Sequence, residues 1–173
     1  MVLKNRSLIG ADIVVTATKT RPADTTAYSA GDVISESTSA GTTWTFDAVV
    51  HSNGGGGKIT RAVVLSDDTG NTNQMSLLLF SVTPTSALDD NGANTGPLAA
   101  DADNFIGEIA FDAMKDLGTG FSYAVATTGN SKLDLPFRCE AGDDAIYGIL
   151  VAIDALTPTS GQIFRVNLQV AQH

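Results

Sequence analysis

The sequence predicts an all-β protein, a two-sheet antiparallel sandwich with an extended N-terminal arm. Three observations carry this. Apolar residues make up 43% of the 173 residues and charged residues only 17%, against about 25% charged in an ordinary globular chain. Gly, Ser and Thr fill the difference, which suits strands and tight turns better than helices built on Ala, Leu, Glu and Lys. Several segments alternate apolar and polar residues while none keeps a helical period, and turn residues recur at the close spacing of a sandwich or barrel.

Each element can be justified in order. Ile13–Val14–Val15–Thr16–Ala17–Thr18 is β-branched and stops before Pro22, a strand signal. Ala30–Gly31–Asp32 is turn chemistry ahead of Val33–Ile34. Residues 44–50, from Trp44 to Val50, read as a strand. Asn53 and Gly54 to Gly57 then read as a hairpin tip, and residues 58–65 resume the β pattern. Asp67–Asp68–Thr69–Gly70–Asn71 is a turn, followed by the nearly continuous apolar run Met75 to Val82, which suits a strand buried on both faces. Residues 85–103 are the longest irregular stretch, of a length often tied to function, and one short helical turn is expected within Leu98 to Ile106.

Two further strands, 109–111 and 121–125, flank Gly118 and Gly120. Leu133–Asp134–Leu135–Pro136–Phe137 alternates but holds a proline, which restricts it to a sheet edge or a bulge. Ala145 to Ile153 is the second strand expected to be buried on both faces. In the last strand Phe164, Val166, Leu168 and Val170 point one way, and Arg165, Asn167 and Gln169 the other. Eight to ten short strands in two layers are expected, with a jelly roll as the specific topology. Residues 1–24 read as an arm or first strand, and 25–173 as a single sandwich domain.

Net charge is −9, so the chain repels phosphate and nucleic acid is not an expected partner. The charge is uneven: Lys4, Arg6, Lys19 and Arg21 against Asp12 give residues 1–21 a charge of +3, and the remainder carries −12. A basic arm on an acidic body could dock on a neighbouring copy or another acidic surface, although ordinary solvated strand residues explain the pattern equally well. One cysteine, Cys139, gives no internal disulfide. No apolar stretch reaches the ~20 residues of a membrane helix, so no membrane partner is expected and the chain reads as soluble and made in a reducing cytoplasm.

Reactive chemistry is thinly represented. His51 and His173 are the only histidines, and pairing either with Cys139 would also need an orienting carboxylate that the sequence does not single out. Gly54 to Lys58 lacks the Ser or Thr that a phosphate-binding loop places after its Lys. One Cys and two His disfavour zinc. Calcium could use the oxygen-rich clusters Asp67–Asp68, Asp89–Asp90–Asn91 and Asp101–Ala102–Asp103–Asn104, but solvated turns account for them as well. Trp44 is expected in the core. No catalytic residue, metal or cofactor is assigned, and the expectation is a non-enzymatic structural or binding protein.

An ordered set of soft motifs resembles a family of tailed-bacteriophage virion structural proteins, the jelly-roll head decoration or auxiliary capsid proteins. The motifs are Tyr28 to Ile34, Trp44–Thr45–Phe46, Leu77–Leu78–Leu79–Phe80 with Pro84, Asp101 to Ile106, Leu133 to Phe137, Ile146 to Val151, and Thr157–Pro158–Thr159. They span residues 25–172. The resemblance implies a cement role on the capsid exterior, with the major capsid protein and two further copies of the chain as partners, in a homotrimer. It implies a place on the virion, after assembly in the host cytoplasm. On this reading Lys4, Arg6, Lys19 and Arg21 are the candidate capsid-binding residues, and Leu133, Leu135 and Phe137, on the proline-marked edge, the candidate subunit interface. The alternative is a receptor- or glycan-binding module of a fibre, neck or tail, using loops such as 85–103.

Overall fold

A computed structural model describes residues 12–118, 120–126 and 133–173. Among them run eleven strands: β1 (Asp12–Thr20), β2 (Val33–Ile34), β3 (Trp44–Phe46), β4 (Gly56–Ser66), β5 (Met75–Phe80), β6 (Phe105–Ala110), β7 (Lys115–Asp116), β8 (Ser122–Val125), β9 (Leu135–Arg138), β10 (Ile146–Ala152) and β11 (Ile163–Gln172). The expected helical turn is present as a 3₁₀ segment, Ala99–Asn104. Every strand pairing is antiparallel. The first sheet has the order β1-β11-β4-β8-β7, with β9 pairing the start of β4; the second has the order β2-β10-β5-β6, with β3 pairing the start of β10.

The two sheets pack face to face as a β-sandwich. Alternation along each strand sends one set of side chains into the shared core. β11 contributes Phe164, Val166, Leu168 and Val170, all fully buried, as their period-two spacing predicts. β4 adds Ile59, Ala62 and Val64, and the inner face of the second sheet adds Met75, Leu77, Leu79, Ile146 and Leu150. Burying each large apolar side chain contributes roughly 1.5–3 kcal/mol. Trp44 lies in this core and satisfies its one donor by giving Nε1–H to the Ile34 carbonyl at 2.9 Å.

The apolar run of β5 is buried along its whole length because the second sheet is covered on its outer face too. Val33, Leu78, Phe80, Ile149 and Val151 form a second apolar cluster there, against which Leu88 and Phe105 pack. Leu88 comes from the long irregular segment between β5 and β6. That segment also closes the free edge of β2: Asn91 N–H bonds to Val33 O (2.9 Å), Val33 N–H to Gly92 O (2.8 Å) and Asn94 N–H to Gly31 O (2.8 Å).

Two expectations about the chain path are corrected. The strand expected over 44–50 ends at Phe46, because the chain turns at Ala48, whose φ is +55°. The glycine run after it is not a hairpin tip, since β3 lies in the second sheet and β4 in the first. Gly56 and Gly57 belong to β4 itself, squeezed between β9 and β11. A Cβ on Gly57 would stand 2.8 Å from the Ala171 carbonyl and 3.1 Å from the Phe137 ring, so close backbone approach explains the glycine. The N-terminal basic segment is also partly redefined. Asp12–Thr20 is a nine-residue strand paired along its length with β11, and the residues before Asp12 lie outside the described residues.

Candidate functional site

β1 alternates, and its odd-numbered residues face inward. Val15, Ala17 and Lys19 are buried in turn, and Arg21 follows at the same parity. The expectation that Lys19 and Arg21 are free to bind a capsid is therefore corrected: both are engaged inside their own chain. Lys19 pairs with Glu36, donates to the carbonyl and hydroxyl of Thr42 (both 2.9 Å), and lies over the Trp44 ring. Burial lowers the Lys19 pKa and outweighs the support from Glu36. Burial also pushes the Glu36 carboxyl up, but hydrogen bonds from Lys19, Thr42 and Ser35 together hold it down at about 2. Both partners thus shift downward for different reasons. The four donors on Glu36 and the three acceptors around Lys19 mark a charged pair. Lys4 and Arg6 lie outside the described residues.

Arg21 belongs to a fully buried network. Its Nη2 meets Asp90 Oδ2 at 3.1 Å, its Nε donates to the Tyr28 hydroxyl, and its Cζ lies over the Tyr28 ring, 4.5 Å from the centroid. The Tyr28 hydroxyl donates to Asp90 Oδ1 at 2.6 Å, and Ser35 N–H reaches the same oxygen at 2.8 Å. Burial, and then Asp90, raise the Tyr28 pKa. This network ties the end of β1 to the long β5–β6 segment.

The candidate interface on β9 is corrected in the same way. Leu135 and Phe137 are buried and Leu133 packs against the main core, while Asp134, Pro136 and Arg138 face outward. The proline does sit on a strand paired along a short stretch, Gly56–Ile59 of β4, but the apolar side chains of that strand point in.

The acidic clusters hold loops. Asp101 accepts from Thr85 N–H (2.8 Å), Thr85 Oγ1 (2.8 Å) and Ser86 Oγ (2.7 Å). Burial raises its pKa, and these bonds more than reverse that, leaving it lowered. Asp89 accepts from Gly41 N–H at 3.0 Å, Asp67 from Ile163 N–H at 2.8 Å and Asp68 from Gly70 N–H at 3.0 Å. Among the described residues no three His, Cys, Asp or Glu are grouped to hold a metal ion. Cys139 is buried, and its thiol is pushed up to about 11, first by burial and then by Asp143 and Asp144. A thiol held so strongly in its protonated form is the opposite of an activated nucleophile. His51 and His173 are exposed.

What the sequence does not single out is the outer face of the first sheet. Register places Leu65 beside Tyr123 and Arg165, and Val63 beside Val125 and Asn167, all on that face. Leu117 directly follows β7 and Phe121 directly precedes β8, so both sit at the tip of that hairpin. Phe121 stacks edge-on against Tyr123, with ring centroids 6.4 Å apart. Phe121 is 42% exposed, Leu117 54% and Ile163 37%. Leu65, Phe121 and Ile163 line a shallow cleft of about 250 Å³ beside Asp67 and Arg165. These residues form an apolar stripe on one sheet face, interrupted by Arg165. No protein-family model matches the chain, and no curated protein matches it.

Proposed function

We propose that this chain is a non-enzymatic adhesion protein of a tailed-phage particle, a decoration protein that binds the exterior of the head shell and reinforces it as a homotrimer. The observation that carries the reading is the contrast between the two outer sheet faces. The second sheet closes its outer face with its own long segment, whereas the first presents the stripe of Leu65, Tyr123, Phe121, Leu117 and Ile163 among the described residues.

The strand order supports a jelly roll as the specific topology. β1-β11-β4 followed by β8 and β9, set against β2 and β3-β10-β5-β6, interleaves the two ends of the chain with its middle, as two Greek keys wound together do. Such sandwiches serve in capsids and in lectins alike, so the topology bears on scaffold rather than on task. Against a glycan-binding loop at 85–103 stands the inward commitment of Asp90, which fixes that segment to the sandwich, and of Asp101, which ties its two ends together. A cement protein works by adding buried interface across joints between capsomers, and many modest contacts sum through repetition. Lys4 and Arg6, in residues 1–11 without a compensating acid, are the cations left for an acidic shell.

Gold-labelled antibody against the chain, applied to purified particles, tests this reading. Even labelling over the head is expected. Labelling confined to tail or fibre, or none, refutes it.

A further inference from the structure

We infer that Lys58, Arg61 and Arg138, at the glycine end of β4, form a site that takes the carboxylates of an acidic polypeptide segment. The inference rests on the adhesive reading above and names the chemistry of the partner at one site, at the opposite end of β4 from the apolar stripe.

A bulge brings the cations to one side. Lys58 and Arg61 are three residues apart, so a regular strand would turn them to opposite faces. The pairing of β4 with β11 slips between them: Ile59 opposes Val170, Arg61 opposes Gln169, and Thr60 is the extra residue. Ile59 and Ala62 therefore both point into the core, and Lys58 and Arg61 both point out, exposed. β9 supplies the third cation. Pro136 opposes Lys58 and Arg138 opposes Gly56, with buried Phe137 between them, so Arg138 faces out as Lys58 does. Diagonal neighbours of this kind lie about 7–8 Å apart, within reach of long side chains. The Gly54 carbonyl accepts from Arg138 Nε at 3.1 Å, which orients the guanidinium and leaves its terminal nitrogens to a partner. Gly56 raises no side chain beside Arg138, and the glycine run floors a cleft of about 420 Å³ that Lys58 and Arg138 flank.

Charge selects the occupant. The strands of the first sheet direct six charged side chains outward: Lys58, Arg61, Lys115, Arg138 and Arg165 against Asp12 alone, a net +4 in a chain of −9. Lys58, Arg61 and Arg138 enter no ion pair among the described residues. Asp12 stands two strands from Lys58, and Asp134 faces outward ahead of β9, yet neither pairs with the trio. Guanidinium and ammonium groups bind carboxylates through charge-assisted hydrogen bonds. A short run of Asp or Glu on a folded partner meets the three cations and goes no further. A nucleic-acid strand would run on over an acidic body and be repelled. Two copies set face to face would oppose cation to cation.

The test is calorimetric titration of the full chain with poly-L-glutamate at low salt. Saturable binding that weakens as salt rises is expected, although both molecules are anionic overall. Lys58→Gln with Arg61→Gln should weaken it about fivefold or more. Lys115→Gln with Arg165→Gln makes the same change in net charge at the other end of the sheet and should leave binding unchanged. No binding by the wild type, equal losses in the two double variants, or tighter binding of duplex DNA than of polyglutamate overturns the inference. Acetylation reads the site without any substitution: polyglutamate should slow modification of Lys58 and spare Lys115, and equal protection of the two overturns the inference. Shell binding is scored separately. If Lys58→Gln with Arg61→Gln coats heads as fully as the wild type does, the site is refuted and decoration stands. If the wild type binds polyglutamate at this site and ignores heads, the site stands and decoration is refuted.

Discussion

Asp90 is the residue whose removal should damage the fold most for the smallest change in volume. Its two oxygens meet Arg21 at 3.1 Å, the Tyr28 hydroxyl at 2.6 Å and Ser35 N–H at 2.8 Å, and neither Arg21 nor Asp90 has a side chain that reaches solvent appreciably. Asp90→Asn keeps the shape and deletes the charge. The Arg21 guanidinium then sits in the interior with only Asp24, at 3.5 Å and partly exposed, to balance it. Arg21 Nη1 already lacks a partner, so the cation has little reserve of hydrogen bonds. Removing one partner of a buried pair costs about 3–5 kcal/mol, which for a chain of this length lowers the midpoint by about 6–20 °C. Tyr28→Phe leaves the charge pair in place and removes one hydroxyl, so about 1–2 kcal/mol is expected. Arg21→Met with Asp90→Leu should lose less than the sum of the two single changes, because removing both charges avoids the orphaned one. Thermal and urea unfolding, followed by circular dichroism and by the fluorescence of Trp44, measure all five variants, the two single changes included. An Asp90→Asn midpoint within about 3 °C of wild type, or strict additivity in the double variant, would refute the reasoning.

Further outcomes follow from the same geometry. The Glu36 carboxyl titrates at about 2 in the fold against 4.5 ordinarily, so its contribution is complete above about pH 4.5 and lost as pH falls toward 2. Unfolding measured between those values should lose stability in the wild type and change less in Glu36→Gln; equal slopes would remove Glu36 from the account. Cys139 should resist iodoacetamide at pH 8 in the native chain and react once urea opens it, and rapid stoichiometric labelling of folded protein would contradict its burial. Gly41→Ala would place a Cβ 1.9 Å from the Leu88 carbonyl, whereas at Gly70 the nearest atom, of Asp68, is 3.7 Å away. The first change should lower the midpoint by several degrees and the second by little, and similar midpoints would show that the β5–β6 segment yields easily.

Much of the layer structure was legible because period-two alternation is a local property. Phe164 to Val170 announce their inward face without any knowledge of what they touch. The same alternation held information about charge that the net-charge tally hides: Val15, Ala17 and Lys19 share one parity, so Lys19 had to follow the apolar residues inward, and Arg21, one residue past the strand's end, keeps that parity. What no local pattern contains is their partners. Glu36 lies 17 residues on and Asp90 69 residues on, each in an irregular segment. The β9 residues failed for a related reason. Proline reports that a strand is incompletely paired, and says nothing about which way its neighbours' side chains point. The glycine run read as a hairpin because turns and close strand contacts both select glycine, and only the assignment of β3 and β4 to different sheets separates the two.

The apolar stripe escaped notice because its members are unremarkable one at a time. Leu65 and Tyr123 are 58 residues apart, and Phe121 and Ile163 are 42 apart; only the register of β4 with β8 and β11 sets them on one surface. That same register explains why the stripe and the covered face have different fates. A sheet built from strands with apolar residues at both parities needs a cover on each side. On the second sheet the long β5–β6 segment supplies it, pinned to the sandwich at Asp90 and braced within itself by Asp101. No described segment of comparable length crosses the first. Either its half-buried side chains are tolerated in water or another molecule completes the layer.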